Sequence, residues 1–300
     1  MQNNRTYSPS FVNRWKDALV ETYNYDVYMD FIVQKTITAK KCLSYLPFIN
    51  YTDRTNEDIE DLLELAKDQL YQIRVLDFQY QDFKQYDPVT MRLDLKGKTI
   101  EEIRKNYSKS VRRRVKVEDK FVLYALEDKK YSLNDFYQIL KIIFKNHGTP
   151  LFPKRYFENL LKHLQGEIYF LEFEDRLVGG TFVLFDPASK IATLQYGGIL
   201  PAEKNYYNGY MMDHLIIKRL LEDQEYELLD YGRTPYETGS YQFKRSFGSY
   251  PVKIDIVTNM LQNNQEIYHK YDFAANVWRK LPYTVTDSLG AKLTKYLVEL

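Results

Sequence analysis

Hydrophobic residues in the first half of the chain follow a helical period in some segments and a strand-like pattern in others. After Ser10, a candidate N-cap, apolar residues recur at helical spacing and predict a short first helix. Residues 27–46 are rich in β-branched and aromatic types and predict two strands, and residues 72–76 predict another. Two further helices are predicted, at 55–72 and after Thr99, because each begins with a capping-box sequence.

The second half of the chain predicts a regular series of elements. A helix capped by Ser132 and ended by Gly148 comes first, and a second helix starts at Pro153 and stops at Gly166. Three strand signals follow, at residues 167–173, 177–185 and 190–198. Because short polar turns separate them, they predict an antiparallel meander. A helix that is apolar on most faces then leads to a strand at 226–231, and we expect that helix to be buried against the sheet.

The length of the chain predicts two domains. A chain of 300 residues exceeds the usual size of one domain, which is roughly 100–200 residues. We place the boundary near residue 130, which gives an N-terminal domain at 1–130 and a C-terminal domain at 131–300. No Pro-, Gly- or Ser-rich linker marks this boundary, so we expect the two halves to pack closely.

Composition narrows the class of protein and its location. The chain is 44% apolar and 28% charged, as folded proteins are, and its 42 basic and 41 acidic residues argue against a global polyanion-binding role. The single cysteine, Cys42, excludes an intramolecular disulfide, and the four histidines match no metal-ligand spacing. The N-terminus lacks a signal-peptide pattern, and no apolar run approaches the roughly 20 residues that span a bilayer. We therefore expect a cytoplasmic protein with no metal and no integral membrane segment.

Two local features of the composition suggest chemistry. The first is a basic segment at 96–120, which has ten basic and four acidic side chains and contains the run Arg112-Arg113-Arg114-Val115-Lys116. This segment is either a solvated helix face or an electrostatic site for the phosphates of a nucleotide, a tRNA or a lipid-linked pyrophosphate. The second is the content of 28 tyrosines and 17 phenylalanines, which suits packing and stacking on sugars or bases equally.

Residues 228–254, LLDYGRTPYETGSYQFKRSFGSYPVKI, resemble the C-terminal signature of the Fem family, whose members are GNAT-like acyltransferases. In that signature an aromatic-Gly-Arg element precedes a Gly-Ser/Thr-Tyr-x-Phe-Lys-x-x-Phe/Trp-Gly element. Three further segments resemble family positions: LPFINY at 46–51, residues 109–116 and GTPLFPKRYF at 148–157. The order of meander, buried helix and strand is similar to that of the GNAT core. The resemblance implies an α/β fold with mixed sheets, built from two tandem GNAT-like domains packed closely.

The resemblance implies an N-acyltransferase that transfers an acyl or aminoacyl group to an amine of a cell-envelope glycan or peptidoglycan-type precursor. The donor is a co-substrate, with no cofactor bound permanently, and acyl-CoA and aminoacyl-tRNA both stay open. A loop with one glycine, residues 204–210, stands where GNAT enzymes carry the Gln/Arg-x-x-Gly-x-Gly/Ala motif for coenzyme A, which counts against acyl-CoA. The chain also lacks the heptad pattern of the helical arm in many tRNA-using relatives, which counts modestly against aminoacyl-tRNA.

Two alternative functions also stay open. One is an aminoacyl-tRNA-dependent peptidoglycan bridge ligase. The other is a noncatalytic GNAT-like protein that binds nucleic acid through the basic run. The expected partners are a small-molecule or lipid-linked glycan precursor and, for the alternatives that use it, tRNA. The sequence leaves the oligomeric state open.

Candidate site residues come from the signature and the basic run. Direct acyl transfer to an amine needs a stabilised oxyanion and a proton for the leaving group, but no covalent nucleophile, and the chain has no G-x-S-x-G elbow. The candidate catalytic residues are Lys244 as a cation for a donor phosphate or the oxyanion, Arg233 as a phosphate or carboxylate ligand, and Tyr241 as the leaving-group acid. The candidate substrate-binding residues are Tyr231, Gly232, Gly239, Ser240, Arg112 and Arg113.

Two other features carry weaker expectations. His214, on the helix predicted to be buried, is predicted to be a hydrogen-bonded core residue rather than a base, and His147 is expected to interact with the C-terminal end of a helix dipole. Gly197 and Gly198, near the end of the third meander strand, are predicted to mark a bulge that exposes an N–H group to the oxyanion, or simply the end of that strand.

Overall fold

The computed structural model describes most of the chain and organises it around one sheet. The described residues are 5–28, 31–35, 41–44, 64, 70–203, 208–258 and 272–297. The strands are β1 (Asp26–Tyr28), β2 (Phe31–Lys35), β3 (Lys41–Ser44), β4 (Leu70–Asp77), β5 (Pro88–Asp94), β6 (Phe121–Ala125), β7 (Gln165–Phe173), β8 (Arg176–Asp186), β9 (Ile191–Ile199), β10 (Leu228–Pro235) and β11 (Tyr250–Thr258). The helices are α1 (Pro9–Tyr23), α2 (Ile100–Asn106), α3 (Lys109–Arg114), α4 (Leu133–His147), α5 (Lys154–His163), α6 (Asn208–Asp223), α7 (Gly239–Arg245), α8 (Asp272–Lys280) and α9 (Tyr283–Leu293).

The described strands form one mixed sheet in the order β1-β2-β3-β4-β11-β5-β10-β9-β8-β7-β6. Among them, β3 with β4 and β9 with β10 pair in parallel, and the other neighbours are antiparallel. The predicted α/β class with closely packed halves is confirmed, and the meander is present as β7, β8 and β9. Strand β5 lies between β10 and β11, so strands from both sides of residue 130 alternate in the sheet. The domain boundary itself stays a prediction.

The sheet separates two hydrophobic cores. Buried residues of α1, α4 and α5 form one core, and those of α2, α3, α6 and α7 form the other. Successive residues of a strand point to opposite faces, so Phe170 belongs to the first core and its neighbour Leu171 to the second. Since helices cover both faces, a ligand has access to this part of the sheet only at strand ends or at a gap between strands.

Local sequence signals set several helix ends as predicted. Capping boxes are present at Thr99 and Ser132, where each side chain accepts a hydrogen bond from the third residue of its helix. Gly148 follows α4 in a left-handed conformation at φ 77°. A Cβ on this glycine would lie 2.6 Å from the carbonyl oxygen of Ala275, so α8 packs closely against the end of α4.

Some expected boundaries are wrong for local reasons. The first helix is capped by Ser8 rather than Ser10, because Pro9 takes the first helical position and the Ser8 hydroxyl accepts from a backbone N–H group. Gly166 does not stop a helix; α5 ends at His163, and Gly166 pairs within β7. The segment 27–46 is expected to hold two strands, but its described residues form three, β1 to β3. The helix predicted at 55–72 lies almost wholly outside the described residues.

The helices of the described ranges are short or amphipathic. In that part of the chain, none reaches both the length and the apolar character that crossing a bilayer demands.

Candidate active site

Strands β9 and β10 pair over only part of their length. Their parallel register runs from Leu228 beside Ile191 to Asp230 beside Thr193 and then stops. Beyond this point β9 continues along β8, whereas β10 pairs with β5 on its other side as far as Pro235. A gap therefore opens between the carboxyl halves of two neighbouring strands, which is where ligands of open α/β sheets bind.

Irregular pairing on both strands accompanies the gap. In β9, Leu194 and Tyr196 face consecutive residues of β8, so Gln195 is an extra, bulged residue. In β10 the register shifts between Asp230 and Arg233, and Gly232 takes φ 70°, a left-handed conformation that favours glycine. The bulge in β9 thus falls at Gln195 rather than at the predicted Gly197-Gly198.

The gap contains a cavity of about 670 Å³. It reaches from α4 on one face of the sheet, where Ile143 and His147 line it, to α6 on the other, where Met212 and Asp213 line it. The rest of the lining is Thr181, Leu194, Gln195, Tyr196, Gly197, Gly198, Ile199, Gly209, Tyr210, Tyr231, Ser240, Phe243 and Lys244. The cavity is therefore lined by residues from both faces of the sheet.

Lys244 reaches the cavity from the last turn of α7. Its Nζ donates to the carbonyl oxygens of Gly232 at 3.0 Å and Arg233 at 3.1 Å, which fixes the ammonium at the irregular part of β10. A lysine has three N–H donors, so one donor remains for a ligand. Burial lowers the pKa of Lys244 to about 8, although the charges of Asp230 and Asp213 oppose this shift. The group is therefore a fixed cation near neutral pH that titrates just above it.

Asp213 lies on α6 beside the same cavity and belongs to none of the sequence motifs. Burial raises its pKa to about 7, while the charge of Lys244 acts in the opposite direction. Within the described parts of the chain, no hydrogen bond or ion pair satisfies its carboxylate. An acidic residue between Met212 and His214, in a helix predicted to be buried, is the signal that would have found it.

Tyr231 contributes the third polar group. Its side chain is buried, and its hydroxyl has no hydrogen-bond partner among the described residues. Burial raises its pKa well above the ordinary value, and the charge of Asp213 adds to this effect. Tyr231 is thus a protonated hydroxyl that lacks an acceptor at the edge of the cavity.

The other signature residues divide between the cavity and its surroundings. Ser240 lines the cavity and shares hydrogen bonds with the hydroxyls of Thr234 and Thr238. Gly239 is the exposed first residue of α7, and the space where its Cβ would lie is empty. These placements agree with a substrate-facing edge at the start of α7.

Arg233 and Tyr241 lie outside the 670 Å³ cavity. Arg233 lines a second cavity of about 20 Å³ on the α1 side of the sheet, with Trp15 and Arg74. Tyr241 is buried beneath α7, where its ring packs on Tyr236 and its hydroxyl accepts from the guanidinium of Arg245. Their catalytic roles stay predictions, and the structure brings neither side chain to Lys244's cavity.

The basic run lies next to the α6 side of the cavity. Arg112 and Arg113 are exposed on α3. Arg114, in contrast, is buried, and its guanidinium lies 4.4 Å from the ring centroid of Tyr210, a cavity residue. Arg114 therefore connects the helix that carries the exposed arginines to Tyr210 at the start of α6.

His214 is a hydrogen-bonded core residue, as predicted. Its side chain is fully buried, with Nε2 at 2.7 Å from the Glu118 carboxylate and Nδ1 at 3.1 Å from the Tyr107 hydroxyl. Arg104 also bonds to Glu118, at 2.6 Å. This network ties α6 to α2 and to the turn after α3, and it leaves His214 no access to the cavity.

Comparison with known proteins agrees with this geometry. Residues 102–245 match the family model described as an acetyltransferase (GNAT) domain. The matched range contains β9, β10, α6 and Lys244, and hence most of the cavity lining. Residues 102–245 are therefore similar to a GNAT acetyltransferase domain. In a search of curated proteins, no sequence matches the chain.

Solved structures share the fold over most of the chain. FemX has a TM-score of 0.59 at 14% identity and covers 88% of this chain and 93% of its own. The C-terminal domain of a putative lysylphosphatidylglycerol synthetase from Agrobacterium fabrum has a TM-score of 0.54 at 13% identity, with 93% and 96% covered. A conserved protein of unknown function from Bacteroides thetaiotaomicron has a TM-score of 0.50 at 10% identity, with 86% and 93% covered. The predicted resemblance to Fem-like proteins of the GNAT superfamily is thus confirmed at the level of the fold.

Proposed function

We propose that the chain is an N-acyltransferase that transfers an acyl or aminoacyl group to an amine of a cell-envelope glycan or peptidoglycan-type precursor in the cytoplasm. One observation carries the proposal: the Lys244 ammonium is fixed at the gap between β9 and β10, inside a GNAT domain. The cavity at this gap has two faces, which suits a reaction that brings a donor and an acceptor together.

The geometry supports direct transfer. The amine nitrogen attacks the acyl carbon, a C–N bond forms, and the C–S or C–O bond to the donor breaks. The oxyanion that develops needs fixed hydrogen-bond donors, and Lys244 keeps one N–H for this purpose because two backbone carbonyls hold the other two. No step requires a covalent enzyme intermediate.

The proposed reaction has two candidate donors, acyl-CoA and aminoacyl-tRNA. The GNAT domain supports acyl-CoA, since acetyltransferases of this kind use an acyl-CoA co-substrate. Arg112 and Arg113 are exposed near the α6 side of the cavity, where they suit the phosphates of either donor. The name of the Agrobacterium neighbour denotes synthesis of an aminoacyl lipid, which supports keeping aminoacyl-tRNA and lipid-linked acceptors in the test.

The deciding experiment screens the purified protein by thermal shift and product mass. The panel contains acyl-CoAs, charged tRNA, and UDP-linked and lipid-linked muropeptides. A ligand that binds the native state raises its melting temperature by an amount that grows with the logarithm of the ligand concentration relative to its dissociation constant. A shift with one donor, and an acyl adduct on the acceptor's amine, are expected. If no donor gives product with any amine, the proposed function is wrong.

A second candidate function is noncatalytic binding of nucleic acid. An aminoacyl-tRNA-dependent peptidoglycan bridge ligase is a related candidate, because it would also bind RNA. The exposure of Arg112 and Arg113 on α3 favours both. Binding through phosphates weakens steeply with salt, by a slope that falls as basic contacts are removed. The double variant Arg112→Ala/Arg113→Ala should therefore lower the salt slope for tRNA. An unchanged slope would remove the support for a nucleic-acid function.

A further inference from the structure

Two polar groups face the same cavity without partners. The Asp213 carboxylate on α6 and the Tyr231 hydroxyl on β10 both line it, and neither has a hydrogen-bond partner in the part of the chain that the structure describes. Buried polar groups in native proteins are nearly always paired, so the buried Tyr231 hydroxyl needs an explanation, and the partly exposed Asp213 carboxylate lines the same cavity. Their charges interact, because the ionised Asp213 helps to raise the pKa of Tyr231. The two groups are therefore neighbours.

The chemistry of these groups indicates what the missing partner is. An ionised carboxylate only accepts hydrogen bonds, and several of its cavity neighbours, such as Met212 and Leu194, are apolar. Lys244 does not satisfy it, since two carbonyl oxygens hold that ammonium and the two charges form no ion pair among the described residues. An anionic or apolar ligand would leave the carboxylate unpaired. A primary ammonium group would satisfy it and would donate further hydrogen bonds.

We propose that Asp213 binds the ammonium form of the acceptor amine and takes the proton that the amine must lose before acyl transfer, with Tyr231 donating to the oxyanion that follows. This inference rests on the proposed acyl transfer and adds to it the acceptor site and the proton acceptor. It places the acceptor's nitrogen between α6 and β10, opposite the fixed ammonium of Lys244.

The proposed step balances. One proton passes from the ammonium nitrogen to an Asp213 oxygen, and the nitrogen's electron pair forms the C–N bond. The carbonyl oxygen becomes an oxyanion that accepts from the Tyr231 hydroxyl and the Lys244 N–H. When the oxyanion collapses, the C–S or C–O bond breaks, and the second nitrogen proton passes to the leaving sulfur or oxygen. Asp213 then releases its proton to solvent.

The charged and titratable groups around Asp213 define its pH behaviour. Lys244 faces it from α7, Tyr231 from β10 and Tyr107 from the end of α2, and His147 of α4 lines the same cavity. Both tyrosines have pKa values raised by burial, so neither ionises near neutral pH. The rate should rise with pH as Asp213 ionises at about 7 and fall as Lys244 loses its proton at about 8.

The first test needs no known substrate. The probes are n-butylamine hydrochloride, 1-butanol as its neutral isostere, and sodium chloride at equal concentration. At pH 8, butylammonium should raise the melting temperature of the wild type above both controls, and Asp213→Asn should lose this difference. Asp223→Asn, on the exposed end of the same helix, should retain it. Equal shifts in the wild type and Asp213→Asn, or no specific shift in the wild type, would overturn the proposal.

The second test uses the donor and acceptor that the screen identifies. Asp213→Asn should lower kcat/KM by at least about 100-fold at pH 7, and the loss should shrink as pH rises and the free amine appears without a base. Tyr231→Phe should lower kcat more than it raises KM, whereas Tyr226→Phe, at a buried tyrosine outside the cavity, should change neither. A pH-independent loss in Asp213→Asn would indicate a structural role and overturn the proposal. Failure of the wild type with every pair would instead reject acyl transfer, and the butylammonium test would still decide whether Asp213 binds an amine.

Discussion

The two sides of strand β10 differ in the partners that they offer to a nearby carboxylate. On the β5 side, Asp230 accepts from the Thr90 hydroxyl, from the Arg92 guanidinium at 3.2 Å and from the Gly232 N–H at 2.8 Å. On the β9 side, Asp213 faces a cavity and has no such partner among the described residues. The fold therefore satisfies a buried acid fully on one side of the strand. On the other side, the described residues leave the acid open to the cavity, where a ligand can reach it.

The paired side should carry the largest stability effect. Asp230→Ala would leave Arg92, which is fully buried, without its counter-charge, and breaking such a pair costs about 3–5 kcal/mol. Urea denaturation of the variant should show this loss. Asp223→Ala, which removes an exposed carboxylate, is the control and should change stability by less than about 0.5 kcal/mol. A small effect of Asp230→Ala would show that the two sides do not differ as described.

Lys244→Ala, in contrast to Asp230→Ala, should change activity strongly and stability little. Lys244→Ala should reduce turnover by about 100-fold or more, as expected when a donor to the oxyanion is removed. Its free energy of unfolding should change by no more than about 1 kcal/mol, because the lost hydrogen bonds are offset by release from the cost of a buried charge. Lys190→Met, at an exposed lysine, is the matched control. An unaffected rate in Lys244→Ala would contradict its assigned role.

The backbone at Gly232 connects the two sides, and its substitution should have a moderate effect. Alanine there would need φ near 70°, which costs about 1–2 kcal/mol for a residue with a Cβ. Space is not the constraint, since the new Cβ would lie 3.4 Å from the nearest atom, the Leu194 carbonyl oxygen. Because Lys244 bonds to the Gly232 carbonyl, the rate should fall as well. Gly239→Ala, where the space is open and the residue begins a helix, is the control for stability. Equal stability of both variants would argue against strain at Gly232.

Local signals in the sequence predicted many of the elements, whereas the site depends on contacts distant in the chain. The capping boxes at Thr99 and Ser132 act within four residues, and the meander follows from alternating patterns and short turns. The gap at β10 exists because β5, more than 130 positions away, pairs with its far side. No pattern within the strand itself indicates that partner.

The distinction between local signals and distant contacts also explains which candidate residues lie at the cavity. Lys244, Tyr231 and Ser240 reach the cavity, and all three belong to the recognised signature. The register shift in β10 places Arg233 at the smaller cavity on the α1 side of the sheet. Residue types alone do not reveal on which side of the sheet this arginine lies. Asp213 has no motif around it, and its importance is visible only when the structure shows that it lines the gap and that no described residue pairs with it.

The smallest expected effect is a gain in stability when Asp213, on the β9 side, is replaced. In the unfolded chain Asp213 ionises near its ordinary pKa of 3.8, but in the folded state burial raises that pKa to about 7. A raised pKa for an acid means that folding favours the neutral form, so the contribution of Asp213 to stability is most favourable below pH 4 and is lost as pH rises towards 7. Asp213→Asn removes this loss. The full shift would correspond to roughly 4 kcal/mol, but Asp213 is partly exposed and solvent screens its charge, so we expect a gain of about 1 kcal/mol at pH 8. The advantage should vanish at pH 4, where the wild type and Asp213→Asn should have the same melting temperature. Asp223→Asn is the control for the general effect of replacing an aspartate on this helix. If Asp213→Asn were instead less stable at pH 8, the carboxylate would have a stabilising partner, and the contrast between the two sides of β10 would not hold.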